Sequence, residues 1–308
     1  MATGLRLSHS NHNPKTIHSF SKPNTNSLTR RVISMAQNQS YWASIDADVQ
    51  SYLENAIPIR PPESVFEPMH HLTFSAPRTT ASSLCVAACE LVSGDRSLSM
   101  AAASAVHLMH AAAYIHEHLP LTDRPKPKPK PTIQHKYNPN IELLTGDGII
   151  PFGLELLARS MDLAQSNQDR VLRVIIEMSR ASGSQGVVDG QYKKLGMDHD
   201  VEYVCRKKEG ELHACGAACG AILGGGTEEE IERLRNFGVY VGTVRGLMEA
   251  RKSRPEMLLD EKIEKLKGLA VKELECFQGN VIAEMIVGLA QGEHSHFVAT
   301  EKYNESLV

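Results

Sequence analysis

Leu98-Ser99-Met100-Ala101-Ala102-Ala103-Ser104-Ala105-Val106-His107-Leu108-Met109-His110-Ala111-Ala112-Ala113-Tyr114-Ile115-His116-Glu117-His118 contains no glycine or proline and seven alanines. Such a run predicts one long helix, which must stop at Pro120. Its small side chains let neighbouring helices approach closely. Upstream, Leu84 to Val92 carries Cys85, Ala88, Cys89 and Leu91 at helical spacing and ends near Gly94-Asp95. Before it, Trp42, Ile45, Val49 and Leu53 share one helical face, and that helix ends at Ala56, short of Pro58 and Pro61-Pro62. Downstream, helices are predicted over Ile141 to Leu163, Asp169 to Ser182, Asp200 to Leu223, Thr227 to Arg251 and Leu258 to Cys276. Gly224-Gly225-Gly226 stops one helix, and Thr227 with Glu230 forms a capping box that starts the next. Three glutamates beside that glycine run exclude a phosphate loop there. The fold class is all-α.

The chain has 308 residues, 42% hydrophobic and 5% aromatic, with a formal net charge of −3. That balance argues against a nucleic-acid partner, and six cysteines are too sparse for a secreted disulfide framework. His107, His110, His116 and His118 interrupt the most apolar stretch, so no membrane span is expected. Met1 to Ile45 lacks Asp and Glu entirely, while Arg6, Lys15, Lys22, Arg30 and Arg31 sit among Ser, Thr and Asn. This is the composition of an organellar transit peptide, with plastid favoured, cleaved near Met35 to Ser40. Residues 1–40 are accordingly expected to be a disordered chloroplast leader, and residues 41–308 one helical domain. Removing those five charges takes −3 to about −8, which suits a soluble stromal protein.

Arg124 to Pro131 alternates proline with cations and reads as an extended, solvated loop; its lysines, spaced every two residues along a rod, do not converge on a phosphate. Cys85 and Cys89, like Cys215 and Cys219, lie four apart, so each pair projects from one helix face. Cysteine behaves there as a small apolar residue, and core packing competes with a docking ridge as its explanation. A four-thiolate zinc site and an intrahelical disulfide are both disfavoured by spacing and geometry. The histidine cluster does not read as a metal site.

Leu84 to Val92, Leu144-Thr145-Gly146-Asp147, Gly190-Gln191 and Gly220 to Thr227 follow one another as in the plant geranylgeranyl diphosphate synthases. The chain from residue 41 onward resembles that family, within the trans-isoprenyl diphosphate synthases, and the resemblance implies a large helical bundle around a central cavity. Active members hold magnesium ions around an allylic diphosphate with two aspartate-rich motifs. Here the first motif reads Glu117, His118 and Asp123, and the second reads Glu249-Ala250-Arg251-Lys252-Ser253. Magnesium demands near-octahedral oxygen ligands, which these residues do not offer, so no metal or other cofactor is expected in this chain. Ala76 to Ser82 retains one phosphate-binding cation, Arg78, of about three, and Lys208 matches a diphosphate-binding lysine.

Tyr41-Trp42, Pro68 to Phe74, Glu117 to Asp123 and His213 to Gly220 are similar to the small subunit of plant heteromeric geranyl diphosphate synthase. That resemblance implies a non-catalytic regulatory chain, silent alone, that pairs with a magnesium-bearing geranylgeranyl diphosphate synthase large subunit in a heterodimer or heterotetramer. The pair makes ten-carbon geranyl diphosphate for monoterpene biosynthesis. It also implies that Cys85, Cys89, Cys215 and Cys219 serve partner binding. Two alternatives remain: a small subunit that raises twenty-carbon output, or a weak stand-alone prenyltransferase using Glu117, Asp123 and Glu249.

Overall fold

Helices begin where a side chain can cap them. The computed structural model describes residue 1 and residues 25–119, 136–162, 166–196 and 200–291, the side chains of residues 25–35 excepted. Among the described residues every regular element is helical. The elements are α1 (Thr25–Ala56), α2 (Glu63–Ser75), α3 (Thr80–Leu91), α4 (Arg96–His118), α5 (Pro139–Arg159), α6 (Gln168–Ser182) and α7 (Val187–Lys194). They continue with α8 (Val201–Cys205), a π-helical turn (Arg206–Gly210), α9 (Glu211–Gly224), α10 (Glu228–Ser253), α11 (Asp260–Glu273) and α12 (Val281–Gln291). The Ser97 amide donates to Asp95 Oδ1 at 2.8 Å to open α4, and the Ile141 amide donates to Asn138 Oδ1 at 3.0 Å to open α5. Thr227 and Glu230 form the expected capping box at the head of α10, with the Thr227 amide 2.7 Å from Glu230 Oε2.

Contacts divide the chain into two units, Met1–Ser40 and Tyr41–Val308. The second is a bundle in which α3, α4, α9 and α10 form the centre. Trp42 is 1% exposed and Ile45, Leu53, Leu84, Leu108 and Phe237 are fully buried, so the apolar stripe expected on the first helix does line the core. The closest packing is between α3 and α9. A Cβ built on Gly220 would lie 1.9 Å from the Cys85 carbonyl oxygen, well inside van der Waals contact. Only glycine lets the two backbones meet at that point, and alanines and cysteines fill the rest of the seam.

Several elements depart from expectation. The first helix starts at Thr25 rather than Trp42, because no glycine or proline interrupts residues 24–57. Residues 25–40, expected without structure, are therefore helical; the rest of the expected leader lies outside the described residues, as do residues 120–135 with the proline-lysine run. The expected helix from Asp200 to Leu223 is broken by the π turn, and the one from Ile141 ends at Arg159 rather than Leu163. Helices α2, α7 and α12 went unforeseen. By length and composition α4 is apolar enough to cross a bilayer, contrary to the reading that its histidines preclude this, but 72% of its most apolar window is buried inside the fold.

The α3–α9 seam sets a stability test. Gly220→Ala should cost about 3 kcal/mol, since a methyl group must push two backbones apart. Gly268, exposed on α11 with nothing within 4 Å of its virtual Cβ, supplies the control. Gly268→Ala should gain up to about 1 kcal/mol by helix propensity alone. Denaturant midpoints of the two variants check both signs.

Candidate functional site: a closed cavity at the end of the central helix

The last turns of α4 deliver Tyr114, Glu117 and His118 to one end of the bundle, opposite α7 and the π turn. π turns interrupt α-helices most often where a site is built, and this one carries Lys207 and Lys208. Lys207 Nζ donates to the Gln185 carbonyl at 2.6 Å, and Lys208 Nζ meets Glu117 Oε2 at 2.5 Å. Lys194, at the end of α7, closes a second short ion pair with Glu117. Gly190 makes this possible: a Cβ there would fall 2.7 Å from the Lys208 side chain. Its neighbour Gln191 ties α7 to α4 by donating to the Ala113 carbonyl at 3.0 Å. Burial raises the Glu117 pKa, but the Lys208 and Lys194 charges outweigh it and bring the carboxyl down to about 2. The carboxylate is therefore ionised at neutral pH and committed to two cations.

Beneath this triad lies a cavity of about 50 Å³ lined by His110, Ala113, Tyr114, Glu117, Val187, Lys208, Glu209 and Leu212. Small-molecule sites usually enclose about 300 to 1,000 Å³, so an isoprenoid diphosphate has no room. The remaining positions singled out by sequence do not join Glu117 and Lys208 on its lining. His118 turns back on its own helix, its Nδ1 2.8 Å from the Tyr114 carbonyl and its ring 4.1 Å from that tyrosine's ring. Glu249, exposed near the end of α10, lies 3.5 Å from Lys252, while Arg251 pairs with Asp260 of α11. Arg78 is exposed and donates to Gln50 of α1. Asp123 lies outside the described residues. A magnesium cluster needs several uncommitted carboxylate oxygens converging on one point. Glu117 is engaged by two lysines and Glu249 by Lys252, so the described residues do not fit one.

Sequence reasoning missed Lys194, whose basic position at the end of a short helix carries no motif. It also missed a buried polar group under the cavity. His213 Nε2 is 2.8 Å from Thr80 Oγ1, its Nδ1 is 2.7 Å from the Glu209 carbonyl, and Arg245 reaches Thr80 at 3.4 Å. Burial, opposed by Glu209, lowers the His213 pKa to about 4. Burial and the neighbouring His110 do the same to His107, which hydrogen-bonds the Thr73 carbonyl at 3.2 Å.

The four cysteines do not form a surface ridge. Cys85, Cys89 and Cys219 are 0% exposed and Cys215 is 4% exposed, all in the α3–α9 seam, with the Cys215 and Cys219 sulfurs 3.7 Å apart. The expectation that they present a docking face is corrected to internal packing: α9 is apolar on every side and is covered on every side, from Leu212 to Leu223. Burial raises the Cys85 and Cys219 thiols well above their usual range and Cys89 to about 11.

This is the architecture of an isoprenyl diphosphate synthase whose metal-binding carboxylates have been replaced or neutralised. No family model matches the chain. It is 64% identical to the geranyl diphosphate synthase small subunit from Antirrhinum majus, with a TM-score of 0.77 over 82% of this chain and 98% of that one. It is 58% identical to a chain of a mint heterotetrameric geranyl pyrophosphate synthase deletion mutant, with a TM-score of 0.74 over 82% and 99%. A chloroplastic heterodimeric geranylgeranyl pyrophosphate synthase small subunit from Cannabis sativa is 47% identical over 85% of this chain and 95% of its own length. The chain belongs to the small subunits of plant heteromeric geranyl and geranylgeranyl diphosphate synthases.

Two measurements follow from the buried groups. A thiol reagent should modify the exposed Cys276 within minutes and reach Cys85, Cys89, Cys215 and Cys219 only on unfolding, as tryptic mapping of the labelled chain would reveal. His107 and His213 titrate near 6.5 when unfolded and near 4 when folded. The unfolded state therefore binds protons first, and stability present above pH 6.5 should fall progressively down to about pH 4. Chemical denaturation across that range should show the decline, and His107→Gln should flatten it.

Proposed function

We propose that this chain is a catalytically silent, plastid-located small subunit that docks on an active geranylgeranyl diphosphate synthase large subunit and redirects it to ten-carbon geranyl diphosphate. The observation that carries the silence is the Lys194–Glu117–Lys208 triad over a cavity of about 50 Å³. The carboxylate that should hold magnesium holds two lysines, and the space for an isoprenoid chain is absent. The magnesium and both substrates then belong to the large subunit. The names of the relatives support the partnership and the plastid: one is part of a heterotetrameric enzyme, and another is heterodimeric and chloroplastic. The acid-free leader supports the same compartment. Since the cysteines are interior, the surface left for a partner includes the exposed apolar side chains Leu172 and Ile176 on α6.

Direction to ten carbons is supported by 64% and 58% identity to components of geranyl diphosphate synthases. A second reading, enhancement of twenty-carbon output, draws on the two Cannabis sativa subunits at 47% and 48% identity. Purified chain given isopentenyl and dimethylallyl diphosphates with magnesium should form no product; turnover by the isolated chain would sink the proposal. Co-expression with a large subunit should raise the ratio of ten-carbon to twenty-carbon product. A rise in twenty-carbon product alone selects the second reading.

A further inference from the structure

His110 Nε2 is buried and has no hydrogen-bond partner, and it borders the same small cavity as Glu117 and Lys208. An unpartnered buried polar atom costs about 1 to 3 kcal/mol, so its position on a cavity wall marks a place where a polar guest belongs. Two lysines from different elements converge on one carboxylate at that wall. Lys194 comes from α7 and Lys208 from the π turn, and both meet Glu117, which hangs from α4. Convergent cations from separate elements are the arrangement that holds a phosphate group, and here a side-chain carboxylate lies between them. The other charged group on the lining is Glu209, faced by His213 with Nδ1 and Oε2 4.0 Å apart and by the nearby Arg245 charge.

We propose that Glu117 acts as an internal anion that fills a latent phosphate site made by Lys194, Lys208 and His110, so that the chain accepts a diphosphate only when this carboxylate is removed. The missing aspartates would abolish catalysis but leave a chain still able to trap substrate. The plug removes that second hazard, because each lysine is satisfied without a ligand. Replacing the carboxylate frees two charge-assisted contacts and opens the wall of the cavity. The inference deepens the reading of the chain as a silent subunit, and it concerns the isolated chain.

The test is calorimetric titration of inorganic diphosphate into the isolated wild-type chain, Glu117→Gln, and the double variant Glu117→Gln/Lys208→Met. Glu117→Gln should bind at least about tenfold more tightly than wild type, the equivalent of one charge-assisted contact, and the double variant should lose that gain. Circular dichroism confirms folding, and Glu117→Ala replaces Glu117→Gln should the latter not fold. Equal binding by wild type and Glu117→Gln overturns the proposal, as does a gain that survives Lys208→Met. Neither result alters the product ratio measured with the large subunit, so the two readings fail separately.

Discussion

The α3 and α9 backbones touch at Gly220 and Cys85, and much of the molecule is arranged around that contact. Helices normally pack with axes about 8 to 10 Å apart, the distance set by the side chains between them. Here the seam is built from alanine, cysteine and glycine, so two central helices lie near the lower limit. Close packing of small groups gives many dispersion contacts with little rotamer entropy lost on folding. It also leaves α9 without a free face. The same tightness explains why the thiols are interior: a cysteine fills the seam as a small apolar group, and its chemistry is suppressed by burial.

From that centre, α4 carries the core to the altered site. Its alanine-rich first half packs among α3, α5 and α9, and its last turns bring Glu117 to the lysines of α7 and the π turn. A longer acidic side chain than aspartate reaches two cations, and the π turn with Gly190 brings one of them into range. Loss of metal binding is therefore more than the deletion of ligands. The site has been rebuilt into an ion-paired closure that contributes its own contacts between three elements.

The helical class was legible because alanine runs, capping pairs and apolar stripes act locally. The Thr227–Glu230 box and the Trp42 to Leu53 stripe stand where residue spacing puts them. Helix α2 was not legible: Pro61, Pro62 and the internal Pro68 argue against helix, and the hydrogen bond a mid-helix proline forgoes is offset by burying Pro68, Met69 and Leu72. The altered positions Glu117 and Lys208 could be found from motifs, but their pairing spans 91 residues of sequence and involves Lys194, which no motif marks. Cysteine spacing fixed that each pair shares a helix face but not which way the face points. On a helix apolar all round, periodicity holds no such information.

The closed cavity has a consequence for any mixed assembly. A chain that neither binds nor turns over substrate contributes mass without active sites, so pairing it one to one with a catalytic chain halves the number of sites per unit of protein. The maximal rate per milligram then falls unless each remaining site becomes faster or makes a different product. A heteromer of this kind is worth assembling only for a change in the partner's kinetics or in product identity, and its success is read in flux per active site rather than in total turnover.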